Sequence, residues 1–241
     1  MDLSKLDCWL NINKPIGFSS AKVVAIVKKI TGAKKVGHSG TLDPFASGVL
    51  PIALNKATKT CEIIMNLKKS YLFTIKFGEF RDTDDIEGNI EKQCDKRPHL
   101  IEFVEVLKNF VGKIWQTPSR FSAIKIKGQR AYDLARQGQN FEMPKRQVEI
   151  FSIQLVEFNK DSAKVVVECS KGTYVRSLAR SICLELGVCG FVSHLKRLKV
   201  GFFLEDKTIL LDELKAKVNN DKIFLDGSLL LLQDVFTVEK P

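Results

Sequence analysis

Alternation of apolar and polar residues predicts several β-strands along the chain. The clearest case is residues 71–77, where Tyr71, Phe73, Ile75 and Phe77 share one face, because side chains two residues apart point to the same side of a strand. Further strands are predicted at residues 9–13, 49–54, 148–158, 164–169 and 195–203. The strands outnumber the helices without alternating regularly with them, which favours an α+β fold around a central mixed or antiparallel sheet flanked by helices.

Apolar residues that recur every three or four positions predict the helices. The first begins at Ser19 or Ser20, either of which can cap its first turn, and it ends at Gly32. Further helices are predicted near residues 58–67, 100–110, 131–136, 175–186 and 210–218. Beyond residue 203 the pattern predicts one helix and little else, so we expect a short C-terminal extension at residues 204–241.

The composition permits a sizeable core and points to a polyanionic partner. The chain has 241 residues, of which 44% are hydrophobic, and a formal net charge of +10. Positive charge favours nucleic acid, because binding phosphates releases their condensed counterions. A basic soluble protein without such a partner has the same composition, so charge alone leaves both interpretations open.

The cysteines, the histidines and the N-terminus indicate a cytoplasmic protein without a metal site. None of the six cysteines forms a C-x-x-C pair, and the three histidines are scattered, so metal-ligand spacing is missing and reduced thiols are expected. The N-terminus lacks the apolar stretch of a signal peptide, and the longest apolar run, residues 229–232, is too short to span a bilayer.

Residues 37–51, GHSGTLDPFASGVLP, place a carboxylate in a loop of small residues. Pro44 biases Asp43 away from the right-handed helical region, and the glycines permit another backbone to approach closely. Taken alone, an aspartate before a proline is more often a turn residue than a catalytic one.

Six segments resemble, in order, the motifs of the TruB family of pseudouridine synthases. The segment GHSGTLDP at residues 37–44 is similar to the family's G-H-[TS]-G-[TA]-L-D-P signature. The other matching segments are NKPIGFSS at 13–20, KSY at 69–71, PSRFSAIK at 118–125, KGTYVRSL at 171–178 and LKRL at 195–198. The resemblance runs from about residue 9 to residue 203, so it implies the pseudouridine synthase fold and a catalytic domain at residues 1–203.

The resemblance implies an enzyme that isomerises a uridine in the T-loop of tRNA, at position 55, to pseudouridine. In this family the N1–C1′ bond is cleaved, and the detached uracil turns and rejoins through C5. Substrate and product are isomers, so no cofactor or metal is expected, and the sequence has no P-loop or dinucleotide fingerprint. The implied partner is the T-arm of tRNA, bound by a monomer without an obligate protein partner or a membrane.

The motif matches imply roles for individual residues. Asp43 is the implied catalytic carboxylate, either as a nucleophile at C1′ or as the base that removes the 2′ proton. Arg176 is expected to pair with Asp43 and to favour its ionised form. Tyr71 offers an aromatic face to the extruded uracil, although packing against Phe73 or Phe77 would also explain it. The other residues expected at the substrate are His38, Tyr174, Leu195, Lys14 and Arg197.

Residues 124–146 form a basic excursion that resembles the family's thumb, which closes over bound RNA. Basic residues outnumber the acidic ones, Asp133 and Glu142. Lys125 and Arg136 are therefore expected to contact phosphates, which position RNA without reading its sequence. A short helix lies between Gly128 and Gly138, the expected hinges.

Two other segments call for an interpretation. The acidic loop at residues 81–88 lacks the spacing of an EF-hand, so a structural turn is expected there rather than a metal site. Many relatives carry a PUA domain, a small RNA-binding β-barrel, after the catalytic domain. Residues 204–241 lack the repeated strands that such a barrel requires, so no complete PUA domain is expected.

Three alternative functions compete with this interpretation. An inert tRNA-binding or folding protein on the same scaffold would not need Asp43, Tyr71, Tyr174 and Arg176 together. An RNA methyltransferase with a cysteine nucleophile would need a cofactor-binding glycine motif and an exposed cysteine in a basic loop. A guide-RNA-dependent relative is the most serious competitor, and the short tail favours a stand-alone tRNA enzyme.

Overall fold

The computed structural model describes residues 2–122, 124–126, 128–219, 227–233 and 235. Ala123, within the PSRFSAIK segment, Lys127, within the predicted thumb, and part of the predicted extension lie outside these residues. The chain divides into two units, Met1–Tyr71 with Lys196–Pro241, and Leu72–Leu195.

Fourteen strands and six α-helices are assigned among the described residues. In chain order they are β1 (Cys8–Lys14), α1 (Ser20–Thr31), β2 (Val36–His38), β3 (Ser47–Leu54), α2 (Cys61–Asn66), β4 (Lys69–Phe77), β5 (Glu79–Arg81), β6 (Ile90–Gln93), α3 (Leu100–Lys108), β7 (Gly112–Gln116), β8 (Lys125–Ile126), β9 (Gln129–Arg130), α4 (Ala131–Arg136), β10 (Arg146–Asn159), β11 (Ser162–Cys169), α5 (Val175–Glu185), β12 (Gly190–Val200), β13 (Phe203–Leu204), α6 (Leu211–Asn219) and β14 (Leu229–Leu231).

The first unit is built on the strand order β14-β1-β3-β12, with β2 added to β3. Strands β3 and β12 run parallel, whereas β1 pairs antiparallel with β14 and β3, and β2 pairs antiparallel with β3, so the sheet is mixed. Residues of α1 and α6, such as Val23 and Leu214, pack with Leu10 and Ile12 of β1. Trp9 points to the opposite side and packs in a second cluster, as the period of a strand requires.

The second unit has the strand order β12-β4-β11-β10-β7, and β5–β6 and β8–β9 form separate hairpins. The buried face of β4 carries Phe73 and Phe77. The rings of Phe77, Phe103 and Phe158 pack with centroid separations of 5.5 to 6.3 Å. This aromatic cluster joins α3 to the sheet of the second unit.

The α+β class with a mixed sheet and flanking helices is confirmed. Of the two caps that the sequence allows, Ser19 and Ser20, the structure uses Ser19, which accepts a hydrogen bond from the amide of Lys22. Gly32 ends the helix with a φ of +66°, as the sequence predicts. The helix predicted at residues 58–67 is instead split into a 3₁₀ segment, Asn55–Thr60, and α2.

Two predictions at the C-terminal side are wrong in detail. The strand predicted at residues 195–203 begins earlier, at Gly190, and the chain turns at Gly201 before β13. The sequence predicts little beyond α6, yet β14 pairs with β1 through the register Trp9↔Leu230. Within the described part of the chain, the longest helices are shorter and more polar than a bilayer-spanning helix would have to be.

Candidate active site

The segment between β2 and β3, residues 39–46, is called here the Asp43 loop. Its first residue, Ser39, is fixed by two hydrogen bonds. The Ser39 amide donates to the Pro51 carbonyl at 3.2 Å, and the Ser39 hydroxyl donates to the Cys61 carbonyl at 2.9 Å. The loop therefore begins from a buried anchor, since Ser39 has no exposed surface.

The first residue of α1 and a residue before it hold the middle of the Asp43 loop. The hydroxyl of Ser20 donates to the carbonyl of Leu42 at 3.0 Å and accepts from the amide of Leu42 at 2.9 Å. The amide of Gly17 donates to the carbonyl of Pro44 at 2.8 Å. The backbone is thus fixed on both sides of Asp43 by the NKPIGFSS segment, which explains why the two segments occur together.

Two buried cations complete the support of the loop. The ammonium of Lys14 donates to the carbonyls of Pro15, Phe18 and Pro44 at 2.7 to 3.2 Å. The guanidinium of Arg197 donates to the carbonyls of Val49 at 2.7 Å and Gly40 at 3.1 Å. Hydrogen bonds from a charged donor to backbone carbonyls are stronger than neutral ones.

The burial of these two side chains corrects the expectation that they contact the substrate. Lys14 is 0% exposed and Arg197 is 1% exposed, so RNA phosphates cannot reach them without rearrangement of the loop. A cation buried this deeply is retained only where its donors are satisfied. The structure therefore gives both side chains a role in positioning the Asp43 loop.

Asp43 itself is half-buried at the turn of this loop. Its carbonyl accepts a hydrogen bond from the amide of Ala46 at 3.1 Å, which closes the turn. Gly48 then allows β3 to approach β12, because a Cβ at Gly48 would lie 2.3 Å from the carbonyl oxygen of Arg197. One carboxylate is thus presented on a backbone that is fixed at both ends.

His38 is the last residue of β2 and lies next to the loop. Its side chain is half-buried, and its Nδ1 has no hydrogen-bond partner among the described residues. Burial, and then the positive charge of Arg197, lower the pKa of His38 below its usual value of 6.5. The imidazole is therefore neutral near pH 7, and a neutral ring can both donate and accept a hydrogen bond.

Tyr71 and Leu195 lie on buried strand faces. Tyr71, in β4, is 9% exposed and belongs to the first unit, whereas Leu195, in β12, is 4% exposed and belongs to the second. The shared buried face of Tyr71, Phe73 and Phe77 that the sequence predicts is confirmed. Their roles at the substrate stay predictions.

In the second unit, Arg176 is the centre of a buried polar cluster. It lies in the first turn of α5 and is 4% exposed. One terminal nitrogen, Nη1, donates to Oδ2 of Asp85 and to the carbonyl of Thr83, both at 2.9 Å. The other, Nη2, donates to the carbonyl of Phe121 at 3.2 Å. Arg176 thereby joins the acidic loop to the PSRFSAIK segment.

Asp85 is a candidate site residue that the sequence did not reveal. The hydroxyl of Thr83 donates to Asp85 Oδ1 at 2.6 Å, and the amide of Glu87 donates to the same atom at 3.0 Å. The structural turn predicted at residues 81–88 is confirmed, and it also supplies a buried counter-ion for Arg176. The T-x-D spacing of Thr83 and Asp85 was the available signal, since a threonine two residues before an aspartate can bond its carboxylate.

A second ion pair braces the same turn. Arg180 donates to Oδ1 of Asp84 at 2.7 Å and lies 4.7 Å over the ring of Phe80. Asp84 adopts a φ of +62°, a conformation that aspartate tolerates better than most residues. Burial raises the pKa of Asp84, and the hydrogen bond and charge of Arg180 oppose that rise. The turn that carries Asp85 is therefore held at two adjacent residues.

Tyr174 is oriented by Gln116, another residue that the sequence did not reveal. Gln116 accepts from the amide of Tyr174 at 3.0 Å and donates to its carbonyl at 3.3 Å, while being only 2% exposed itself. The guanidinium of Arg146 lies 5.3 Å from the centre of the Tyr174 ring. These contacts fix the backbone two residues before Arg176 and leave the ring half-buried.

The predicted thumb contains the β8–β9 hairpin and α4. Lys125 and Arg136 are exposed, as phosphate contacts require. The guanidinium groups of Arg130 and Arg136 lie 5.9 and 5.8 Å from the ring of Tyr132. An open cavity of about 520 Å³ is lined by Lys125, Arg130 and Tyr132, among others. Gly128 and Gly138 have positive φ angles.

The predicted site residues are thus distributed over both units. The first unit brings His38, Lys14 and Arg197 to the Asp43 loop, and the second brings Arg176 and Tyr174 together at the start of α5. Pairing between Asp43 and Arg176 stays a prediction. Within the described ranges, no group of three or more His, Cys, Asp or Glu side chains is arranged to hold a metal ion.

Comparison with known proteins identifies the family. The family model described as "TruB family pseudouridylate synthase (N terminal domain)" matches residues 28–175. The chain belongs to the TruB family. A TruB relative named "tRNA pseudouridine synthase B", from Ehrlichia ruminantium (strain Gardel), is 47% identical over 88% of this chain and 72% of its own. A relative of the same name from Rhizobium johnstonii is 49% identical over 86% of this chain and 67% of its own.

Solved structures related to this TruB chain support the fold. A chain in "Crystal Structure of a Cbf5-Nop10-Gar1 Complex" is 29% identical with a TM-score of 0.76, over 99% of this chain and 63% of that one. A chain in an H/ACA RNP bound to a substrate RNA containing 2′-deoxyuridine is 26% identical with a TM-score of 0.73, over 96% and 61%. This chain therefore spans about three fifths of the length of those two chains.

Proposed function

We propose that this TruB-family chain isomerises a uridine in the T-loop of tRNA to pseudouridine, with Asp43 as the catalytic carboxylate. The observation that carries the proposal is the Asp43 loop, in which one half-buried carboxylate is presented on a backbone held by Ser20, Lys14 and Arg197. Catalysis requires such preorganisation, because a misplaced reacting group forfeits most of its advantage.

Relatives named tRNA pseudouridine synthase B support tRNA as the substrate, since they are 47% and 49% identical over 88% and 86% of this chain. The guide-RNA-dependent alternative has weaker support, because the chains matched in the H/ACA RNP and in the Cbf5-Nop10-Gar1 complex are only 26% and 29% identical. The proposal includes a monomer that acts on the T-arm in the cytoplasm, without an obligate protein partner or a cofactor.

The chemistry needs one carboxylate and a base that has left its stack. Asp43 acts on the ribose, either by attacking C1′ or by removing the 2′ proton, and the N1–C1′ bond breaks. A glycosidase needs a second carboxyl group to protonate its leaving group, whereas here the uracil stays bound and rejoins through C5. When C5 joins C1′, the bond from Asp43 to C1′ breaks on the first route, or the 2′ proton returns to the ribose on the second. The C5 proton is then lost and N1 gains a proton, so the atoms balance.

The remaining residues are proposed to bind and orient the substrate. Extruding a base costs a few kcal/mol, and stacking on Tyr71 would return about 1 to 3 kcal/mol. Tyr174 and Leu195 complete the apolar walls, and His38 contacts the RNA beside the extruded base. Arg176, held by Asp85 at 2.9 Å, keeps Asp43 ionised. Lys125 and Arg136 contact phosphates from the thumb.

The test uses the purified protein alone with an unmodified tRNA transcript. Carbodiimide adducts read by primer extension map pseudouridine at single-nucleotide resolution, and a transcript with cytidine at the target position is the control. We expect one modified T-loop uridine without any added guide RNA. Tight tRNA binding without product would contradict the proposal and favour a binding protein, and modification elsewhere would contradict the assigned target.

A further inference from the structure

Within the first unit, the stretch at residues 8–61, which includes the Asp43 loop and is flanked by Asp7 and Glu62, carries charge of almost one sign. Residues 8–61 contain eight lysines and a single acidic residue, Asp43 itself. Seven of these lysines are exposed, and only Lys14 is buried. Solvated surfaces usually mix both signs of charge, so this excess of positive charge indicates an anionic partner.

Three of the exposed lysines lie on two segments of backbone that hydrogen bonds hold together. The amide of Lys34 donates to Oδ1 of Asn55 at 3.1 Å, and the amide of Asn55 donates to the carbonyl of Lys35 at 2.7 Å. Asn55 begins the 3₁₀ segment Asn55–Thr60, which carries Lys59. Lys34, Lys35 and Lys59 are called here the basic patch.

The basic patch adjoins the entrance to the Asp43 loop. Lys35 precedes β2, whose last residue is His38, and β2 pairs with β3 in the register Gly37↔Ala53. Burial raises the pKa of the Cys61 thiol, whereas the Ser39 hydroxyl and the charge of Lys35 lower it. The ammonium of Lys35 therefore lies close enough to Cys61 to affect the pKa of its thiol, and the carbonyl of Cys61 accepts the hydrogen bond of Ser39.

No ion pair is recorded for the three lysines among the described residues, whereas several other lysines at the surface have one. Lys108 pairs with Glu105 and Lys164 with Glu157, each at 2.6 Å. The ammonium groups of Lys34, Lys35 and Lys59 are therefore available to an anionic ligand. Such a surface attracts a polyanion and raises its rate of association.

We propose that Lys34, Lys35 and Lys59 form a phosphate-binding surface that takes the RNA backbone on the His38 side of the Asp43 loop. The choice of RNA as the ligand rests on the proposed function. Lysines bind phosphate as point charges and do not read bases. The patch would thus hold the RNA in register while His38 and Asp43 act on one nucleotide.

The test compares two triple variants of equal net charge. K34Q/K35Q/K59Q neutralises the patch, and K5Q/K108Q/K164Q neutralises three lysines at the surface that have acidic partners. Each takes three charges from the formal net charge of +10, which leaves +7. Binding of an unmodified tRNA transcript is measured over a series of KCl concentrations.

The expected result is a change in salt dependence confined to the patch variant. Each phosphate contact contributes about 0.7 to 0.9 to the slope of log K against log salt, so losing three should reduce its magnitude by about 2 to 3. Affinity at low salt should fall about tenfold or more. The control triple variant should bind tRNA as the wild type does.

Equal slopes and equal affinities for the two triple variants would overturn the proposal. Thermal unfolding checks that both are folded, and the single variants K35Q and K59Q, each expected to reduce the slope by about 1, decide the matter if the triple variant is unstable. A salt slope that is steeper for the wild type than for K34Q/K35Q/K59Q, in a wild type that makes no pseudouridine, would contradict the proposed function but support the phosphate-binding surface.

Discussion

Replacing Gly48 by alanine is expected to disrupt the Asp43 loop through its contact with β12. Gly48 has a φ of +99°, and an added Cβ would lie 2.3 Å from the carbonyl oxygen of Arg197. Carbon and oxygen cannot approach so closely, so β3 or β12 must move. Gly112 has almost the same φ, +98°, but its Cβ would meet no atom within 4 Å. G112A is therefore a control for backbone strain alone.

The two variants separate the cost of the contact from the cost of the backbone conformation. An alanine at such a φ costs about 1 to 3 kcal/mol, which G48A and G112A share. Overpacking adds about 1 to 3 kcal/mol in G48A, and each weakened hydrogen bond, such as those from Arg197 to Val49 and Gly40, adds about 1 kcal/mol. We expect G48A to lose about 3 to 5 kcal/mol more than G112A.

Urea unfolding measures this difference, and pseudouridine formation reports its effect on the loop. With similar m values, the midpoint for G48A should lie well below that for G112A. Under conditions where G48A is still folded, its turnover should be at least tenfold lower than that of G112A, because the Asp43 backbone is displaced. Equal midpoints for the two variants would refute the view that close approach to Arg197 is what requires a glycine.

The remaining predictions concern the supports of the site. D85N should destabilise the protein by about 3 kcal/mol, because it removes the charge of one member of the buried Arg176–Asp85 ion pair; an unchanged midpoint of urea unfolding would contradict this. S20A removes both hydrogen bonds to the backbone before Asp43, so turnover should fall about tenfold while tRNA affinity stays within about twofold, and a kcat equal to that of the wild type would count against this support. The pKa of His38 is lowered by burial and by Arg197, so on acidification His38 is protonated in the unfolded state before it is protonated in the folded state. The free energy of unfolding of the wild type should therefore fall as the pH drops below 6.5. Unfolding of H38Q should lack that part of the pH dependence, and identical pH profiles for H38Q and the wild type would contradict this prediction.

Features with local causes could be predicted from the sequence. The bounds of α1 follow from Ser19 as a cap and Gly32 as a left-handed C-terminal residue, both of which act within a few residues of their own position. The alternation in β4 likewise identifies its buried face. The motif around Asp43 located the loop, because its small residues and its proline are features of the loop itself.

Features that depend on distant contacts could not be predicted. Lys14 and Arg197 looked like RNA contacts, since a sequence gives the charge of a side chain but not its burial, and both proved to bind backbone carbonyls instead. Asp85 lies 91 positions from Arg176, so no local pattern links the pair. Strand β14 was missed for the same reason, because its pairing with β1 joins the two ends of the chain.

The central claim is that Asp43 carries out the chemistry, and the release of the C5 proton tests it most directly. A tRNA transcript labelled with tritium at C5 of uridine loses one tritium each time C1′ is joined to C5, so the label released into water counts turnovers. The wild type should release one equivalent of tritium per tRNA. D43N should bind the same transcript and release none. Release by D43N at a rate within tenfold of that of the wild type would contradict the account.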